Sequence, residues 1–388
     1  MRSVVVVGGS LAGLNAARAL REQQFEGRIV VVGAERHAPY DRPPLSKGFL
    51  AGGISVEDLA LGAAEDADLG LEWRSGVAAT GLNRAASTVV LASGEELPAD
   101  GVVVATGARA RPLPGRRLDG VHTLRTVEDA LGLRAALTPG ARLVVVGGGF
   151  IGAEVASTAH SLGAEVTVVE ADAVPMARAL GPEMGAVCAA LHRDHGVRLV
   201  AGRTVAGLVG GDRVRGVRVG GAVEPADVVV VGVGAAPAVE WLAGSGVAFD
   251  GAGVRTDAAG ATNIPQVVAA GDCTSSYNTF TGSVLRQEHW TNAMTQPATA
   301  VSTLLGRPTP DRSAVPYFWS DQYGARLQFA GHVLAGDAVE VVDGDVESRS
   351  FAAVYRRAGA PVAVLAMNRP RLFGRWRRGL RSPLAATA

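Results

Sequence analysis

Lys47 is the only lysine in a chain of 388 residues whose other permanently cationic side chains are all arginine. Arginine is planar and holds its proton, whereas lysine is a compact point charge on a flexible stem. A chain this biased toward arginine is read as having kept lysine where a guanidinium does not serve, the competing reading being a chance survivor on the surface. Two glycine-rich segments carry chemistry of another kind. Gly8-Gly9-Ser10-Leu11-Ala12-Gly13 follows the apolar run at 4–7, and Gly147-Gly148-Gly149-Phe150-Ile151-Gly152 follows the run at 143–146. Each leads into a helix-like stretch, then a second apolar run at 29–32 or 166–169, then an acid, Glu35 or Glu170. Strand, glycine turn, helix, strand and acid are the parts of a βαβ unit that binds a dinucleotide.

Each part has a separate physical task. Gly8 and Gly147 permit a tight turn out of the strand, and Gly13 and Gly152 let helix and strand pack closely. Ser10 and Gly149 occupy the position where ligand approaches backbone, and serine there is a small departure from the glycine pattern. The helix N-terminus offers N–H groups and a positive dipole end to a pyrophosphate. One such motif is weak evidence. Two, each with its acid, are read as FAD plus NAD(P).

The elements that must position these residues follow the same pattern. The length predicts two or three domains, and the Gly-rich, apolar composition predicts a compact α/β chain. Further strands are expected at 101–104, running into Ala105-Thr106-Gly107, at 227–231, running into Gly232-Val233-Gly234, and at 267–270, running into Gly271-Asp272. Residues 286–305 read as a helix and 306–310 as a linker, and short alternating segments at 326–329, 339–342 and 362–365 predict a small sheet-containing domain. Formal net charge is zero, so no global field points to nucleic acid or membrane. The start shows no secretory pattern, and no apolar run approaches the ~18 residues of a membrane span, so a cytoplasmic protein is expected. Cys188 and Cys273 are the only cysteines and lie far apart, which leaves no C-x-x-C redox pair and no thiolate metal cluster.

The chain resembles the FAD-dependent reductases of the glutathione-reductase type. Among these it is most similar to the NADH:ferredoxin reductases, such as putidaredoxin reductase and the biphenyl dioxygenase ferredoxin reductases, that serve cytochrome P450s and ring-hydroxylating dioxygenases. The likeness rests on both glycine motifs together with Pro39-Tyr-Asp-Arg-Pro-Pro-Leu-Ser-Lys47, Ala105-Thr-Gly107, Leu124-Arg-Thr126, Ala270-Gly-Asp272, Glu288-His-Trp290 and Pro316-Tyr-Phe-Trp-Ser-Asp-Gln322, in that family's order. It implies an α/β fold with two Rossmann-like dinucleotide-binding domains and a small α+β C-terminal domain. The FAD domain would be discontinuous, 1–112 and 236–311. The NAD domain would span 113–235, and a C-terminal reductase domain 312–388.

The resemblance also implies roles. The Gly8 to Gly13 turn, with Ser10 and the Ala12 N–H, would hold the FAD pyrophosphate, and Glu35 the adenosine ribose. Val77 would touch adenine through its backbone, and Arg42 and Arg125 would be cationic contacts. Thr106, Gly107 and Asp272 would line the rest of the FAD site. Lys47 would lie near flavin N5, kept charged by Glu154, and would stabilise negative charge on the reduced ring. Trp290 would open a helix aimed at the flavin. Gly147, Gly149, Phe150, Ile151, Gly152, Glu154, Glu170, Arg178 and Gly234 would form the NAD site. Ala171-Asp172 follow Glu170 where an NADP site usually shows an arginine, which favours NADH over NADPH.

Disulfide reductases of this type carry paired cysteines in the segment that reads Arg42-Pro-Pro-Leu-Ser-Lys47 here, so thiol relay is excluded and single-electron transfer to a metal-centre protein is expected. An acidic ferredoxin would be steered by basic residues. From Ala358 to the end there are Arg369, Arg371, Arg375, Arg377, Arg378 and Arg381 and no acid, and Arg307, Arg312 and Trp319 would add to that face. The competing reading of this stretch is a solvated tail. Alternatives for the whole chain are an NADH-sensing flavoprotein of the apoptosis-inducing-factor type, or a rubredoxin or quinone reductase.

Overall fold

In the computed structural model, residues 1–309 and 314–380 are described, and Arg312 and Arg381 lie outside them. The chain folds into two compact units: Met1–Asp41, Ala60–Arg109 and Ala236–Pro316 form the first, and Arg42–Leu59, Ala110–Ala235 and Tyr317–Ala388 the second.

The first unit is built on a five-stranded sheet in the order Val267–Ala269, Gly101–Val104, Ser3–Val7, Arg28–Gly33, Leu71–Ser75. Every neighbouring pair is parallel. Parallel strands covered on both faces need apolar residues at every position, which is why the run at 4–7 shows no polar alternation. Val5, Val7, Val30 and Val32 pack into one core, and Val4, Val6, Ile29 and Val31 into another beneath Ala16 and Leu20 of the helix Leu11–Glu22.

The second unit repeats the arrangement in the order Arg198–Val200, Glu165–Val169, Arg142–Val146, Val228–Val231, Val121–His122, again all parallel. It also carries a five-stranded antiparallel sheet, Tyr317–Gln322, Ala325–Gly331, Ala360–Met367, Ser350–Arg357, Ala338–Asp345, followed by the helix Pro370–Gly379. In each parallel sheet the strand before the glycine turn lies in the middle, between neighbours reached in opposite directions. That is the topological switch point, outside whose carboxyl edge open α/β sheets bind ligands.

The helix expected over 286–305 is shorter. It runs Trp290–Leu304, because residues 283–285 pair as an edge strand with Thr274–Asn278 and the chain stays extended through His289 (φ −111°, ψ 135°). Three-stranded antiparallel sheets at 79–98 and 205–225 were given no place in the sequence reading. Among the described residues no helix is long and apolar enough to cross a membrane.

One core residue makes this packing sensitive to pH. His192 is fully buried near the end of the helix Ala177–Asp194, its Nδ1 2.8 Å from the Tyr323 hydroxyl. Burial pushes its imidazole down from 6.5 to about 4. The folded protein therefore keeps the ring neutral while the unfolded chain takes up a proton, so stability falls as pH drops from 6.5 toward about 4. At 1.36 kcal/mol per unit the loss reaches roughly 3 kcal/mol. Thermal melts across that window should show a decline that is shallower in His192→Gln, and an equal slope in the two proteins would contradict the assignment.

Candidate functional site

In the first unit, the glycines at the switch point sit where no other residue fits. A Cβ on Gly8 (φ +128°) would lie 2.0 Å from the carbonyl oxygen of Ala105 at the end of the neighbouring strand. A Cβ on Gly13 would lie 1.7 Å from the Gly8 carbonyl oxygen. Ser10 is extended (φ −116°) and so needs no glycine, and as N-cap of the helix Leu11–Glu22 it makes no side-chain capping bond. Glu35, just past the second strand, receives a hydrogen bond from the buried Tyr40 hydroxyl. The Val77 N–H donates to the Gly33 carbonyl (3.1 Å), so that donor is already used within the protein.

Beside the same edge, Thr106 Oγ1 is buried with no hydrogen-bond partner in the structure. Gly271 N–H donates to Gln296 (2.7 Å), which holds the turn bearing Asp272 against the Trp290 helix. Trp290 Nε1 donates to Asp41 (2.7 Å), fixing the indole at the start of that helix. His289, its N-cap, is driven down to about 4 by burial, against the opposing pull of Asp272, and stands neutral at physiological pH.

The second unit shows the same glycine geometry. A Cβ on Gly147 (φ +106°) would lie 2.3 Å from the Gly232 carbonyl oxygen, and one on Gly152 2.1 Å from that of Gly147. A Cβ on Gly149 would meet nothing within 4 Å, so backbone there is open to close approach. The helix Phe150–Ser161 starts at Gly149 with no side-chain cap and no acid in its first turn. Phe150 turns its ring onto Phe318 (centroids 4.5 Å apart), leaving its backbone as the part that serves the turn, while Ile151 is exposed. Gly234 (φ +99°) also has open space at its Cβ position.

The Glu170 carboxylate accepts from Gly148 N (2.7 Å) and Asp172 N (2.8 Å) and lies against the glycine turn. Arg178 pairs with Asp172 (3.0 Å). Contrast the helix Val127–Ala136, whose N-cap Thr126 and Asp129 form a full capping box. The helices Ala177–Asp194, Trp290–Leu304 and Pro370–Gly379 also start without a side-chain cap, so the two glycine-turn helices are set apart by their steric fit and their place at the switch points, where N-terminal N–H groups can meet an anion. Glycines that no side chain could replace, an open backbone at Gly149 and the buried Thr106 hydroxyl fit a dinucleotide in each unit.

The structure brings Lys47 and Glu154, the pair named by the resemblance, together. Nζ lies 2.6 Å from Glu154 Oε2 and also donates to the Pro43 carbonyl (3.1 Å). Glu154 is only 2% exposed and sits on the helix that follows the second glycine turn. Its other donors stand inside the quoted Pro39 to Lys47 and Pro316 to Gln322 motifs but were given no role from the sequence: Ser46 Oγ (2.5 Å), Ser320 Oγ (2.7 Å) and the Asp321 N–H (3.3 Å). Asp41 was also missed as a site residue, although it stands inside the quoted Pro39 to Lys47 motif. Arg42 donates to the Arg125 carbonyl (2.6 Å), beside the capping box.

Neither cysteine is poised for redox work. Both are fully buried, and burial pushes Cys188 up to about 12 and Cys273 up to about 11. A buried thiol held protonated is not a nucleophile.

The basic C-terminal stretch is not a loose tail as far as Gly379. It forms the helix Pro370–Gly379, anchored by buried Phe373 against Tyr317 (5.5 Å), with Arg371, Arg375, Arg377 and Arg378 exposed. Arg377 lies over the Tyr317 ring (4.3 Å) and Arg326 over Trp319 (6.0 Å), contacts of about 0.5–1 kcal/mol each at exposed sites. Arg307, in the first unit, is exposed.

Residues 2–297 match the family model for pyridine nucleotide-disulphide oxidoreductases, and residues 317–387 match the reductase C-terminal model. The chain is 40% identical over 372 residues to the 5,5'-dehydrodivanillate O-demethylase ferredoxin reductase subunit of Sphingobium sp. (strain NBRC 103272 / SYK-6), covering 94% of this chain and 90% of that one. It is 39% identical to the biphenyl dioxygenase system ferredoxin–NAD(+) reductase component of Paraburkholderia xenovorans (strain LB400), covering 96% and 91%. Its structure resembles that of the reductase in the covalent putidaredoxin reductase–putidaredoxin complex with a TM-score of 0.92 at 33% identity, covering 100% of this chain and 96% of that one.

Gly152→Ala tests the second glycine turn. The added methyl forces helix and strand apart at a cost of about 1–3 kcal/mol. Titration with NADH should show affinity weakened about tenfold, which corresponds to 1.4 kcal/mol, and wild-type affinity would contradict this account of the turn.

Proposed function

The chain belongs to the FAD-dependent pyridine nucleotide-disulphide oxidoreductase family, in its ferredoxin and putidaredoxin reductase-like branch, and from that premise we propose that it is an NADH-dependent reductase passing electrons to a ferredoxin that feeds an oxygenase. The observation that carries this reading is the pairing of Lys47 with Glu154 in a segment free of cysteine, while both cysteines of the chain are buried and held as thiols. A member of this family without a thiol relay must discharge its flavin directly.

FAD supplies the electron chemistry, taking a pair of electrons from the nicotinamide and releasing them singly. Gly8, Ser10, Ala12 and Gly13 present the helix N-terminus to its pyrophosphate, Glu35 receives the ribose, and Thr106, Gly107, Asp272 and Trp290 line the remainder. Gly147 to Gly152, Glu170 and Gly234 do the same for the nicotinamide dinucleotide. Glu170 favours NADH, because its carboxylate repels a 2′-phosphate and the next cation in the sequence, Arg178, is paired with Asp172. Lys47, oriented by Glu154, would supply positive charge to a bound flavin. The arginines of the last helix, with Trp319 and Tyr317, offer a basic, aromatic surface suited to an acidic iron–sulfur protein.

Anaerobic stopped-flow mixing tests this directly. NADH should bleach the oxidised protein fast and NADPH at least ~100-fold more slowly, a ratio worth about 2.7 kcal/mol. The reduced protein should then be reoxidised by an acidic ferredoxin at a rate that falls with salt and drops about tenfold in Arg377→Glu/Arg378→Glu. Fast bleaching followed by a long-lived charge-transfer band and no ferredoxin response would instead favour the NADH-sensing flavoprotein. Reoxidation by rubredoxin or quinone alone would move the chain to those reductases.

A further inference from the structure

Glu154 is held from both sides, and the side opposite Lys47 belongs to the C-terminal sheet. Oε2 accepts from Lys47 Nζ (2.6 Å) and Ser46 Oγ (2.5 Å). Oε1 accepts from Ser320 Oγ (2.7 Å) and from the Asp321 N–H (3.3 Å). Ser320 is wholly buried and has a single proton to give. Gln322 Nε2 donates to the Ser320 oxygen (3.0 Å), which turns that proton toward Glu154. On the near side, Thr158, one turn along the helix from Glu154, donates to the Ser46 carbonyl (2.8 Å) and fixes the segment that carries Lys47.

The last torsion of glutamate is soft, and a donor on either oxygen restrains it, because both oxygens lie off its axis. Ser46 and Lys47 hold Oε2 from one side and Ser320 holds Oε1 from the other, so losing Ser320 leaves the carboxylate restrained at one end only. The strong contact to Oε1 is Ser320 (2.7 Å), since the Asp321 N–H is long (3.3 Å). We propose that Ser320, oriented by Gln322, is a positioning residue that fixes the Glu154 carboxylate and through it the place of the Lys47 ammonium. Alternation along the strand Tyr317–Gln322 puts Phe318, Ser320 and Gln322 on the inward face and Tyr317 and Trp319 on the face with Arg377 and Arg326. One strand thus supports both the charge pair and the proposed docking surface. The inference rests on the proposed function only where it assigns that charge to the flavin.

The sole lysine makes the test unambiguous. FAD-loaded wild type, Ser320→Ala, Ser320→Thr and Gln322→Met are acetylated with a limiting amine reagent, and the peptide containing Lys47 is followed by mass spectrometry. In parallel, NADH bleaching is timed for each. Ser320→Ala should acetylate at least ~3-fold faster, about 0.65 kcal/mol of lost restraint. Gln322→Met should change in the same direction by less, and Ser320→Thr, which keeps the hydroxyl, should return to the wild-type rate. Bleaching should slow in the same order. Wild-type acetylation in a folded Ser320→Ala, with only a lower melting temperature, overturns the proposal. Should Ser320→Ala fail to fold, wild-type acetylation in Gln322→Met overturns it equally. Faster acetylation with unchanged bleaching supports the positioning role and instead removes Lys47 from the proposed flavin chemistry.

Discussion

A carboxylate with 2% exposure is tolerated only if its charge is met from several directions, because taking an ion out of water costs several kcal/mol. Glu154 meets that condition with one ammonium, two hydroxyls and a backbone N–H. These donors come from the segment around Lys47 and from the first strand of the C-terminal sheet, while Glu154 itself stands on the helix after the second glycine turn. Three stretches far apart in sequence are therefore drawn together around one charge. Removing any partner leaves a buried ion short of a bond, a larger penalty than the net worth of the bond itself.

The dinucleotide machinery obeys a different constraint, one of space. Gly8 and Gly147 each stand against a backbone carbonyl at the end of the neighbouring strand, Ala105 and Gly232, so the two copies share a steric solution and not merely a sequence pattern. The glycine-turn helices start without a side-chain cap, as several other helices of the chain do. Their place at the two switch points is what would let a pyrophosphate meet their N-terminal N–H groups.

Much of this was legible in the sequence, for identifiable reasons. The glycine turns, the strands before them and the distal acids have strong local signatures, and the two parallel sheets are built on those strands. Lys47 stood out by composition, and its partner Glu154 came from the resemblance. The serines around Glu154 were not legible, because a hydroxyl becomes part of a site only through contacts set by the fold. Ser320 lies 166 residues from the carboxylate it binds. The start of the Trp290 helix was read four residues early, since the extended pairing of residues 283–285 leaves no trace in helical periodicity. The role of Tyr40 on Glu35 was likewise hidden, although both residues are close in sequence.

A single ammonium, oriented by a buried carboxylate, would stabilise the bound flavin of a reductase that has no thiol relay. This is read from the two-electron midpoint potential of the bound FAD in wild type and in Lys47→Met, taken by anaerobic dye equilibration. Loss of the charge should make the potential more negative by ~30 mV or more, the equivalent of about 1.4 kcal/mol for a two-electron couple. An unchanged potential in a Lys47→Met protein that still binds FAD would contradict the claim.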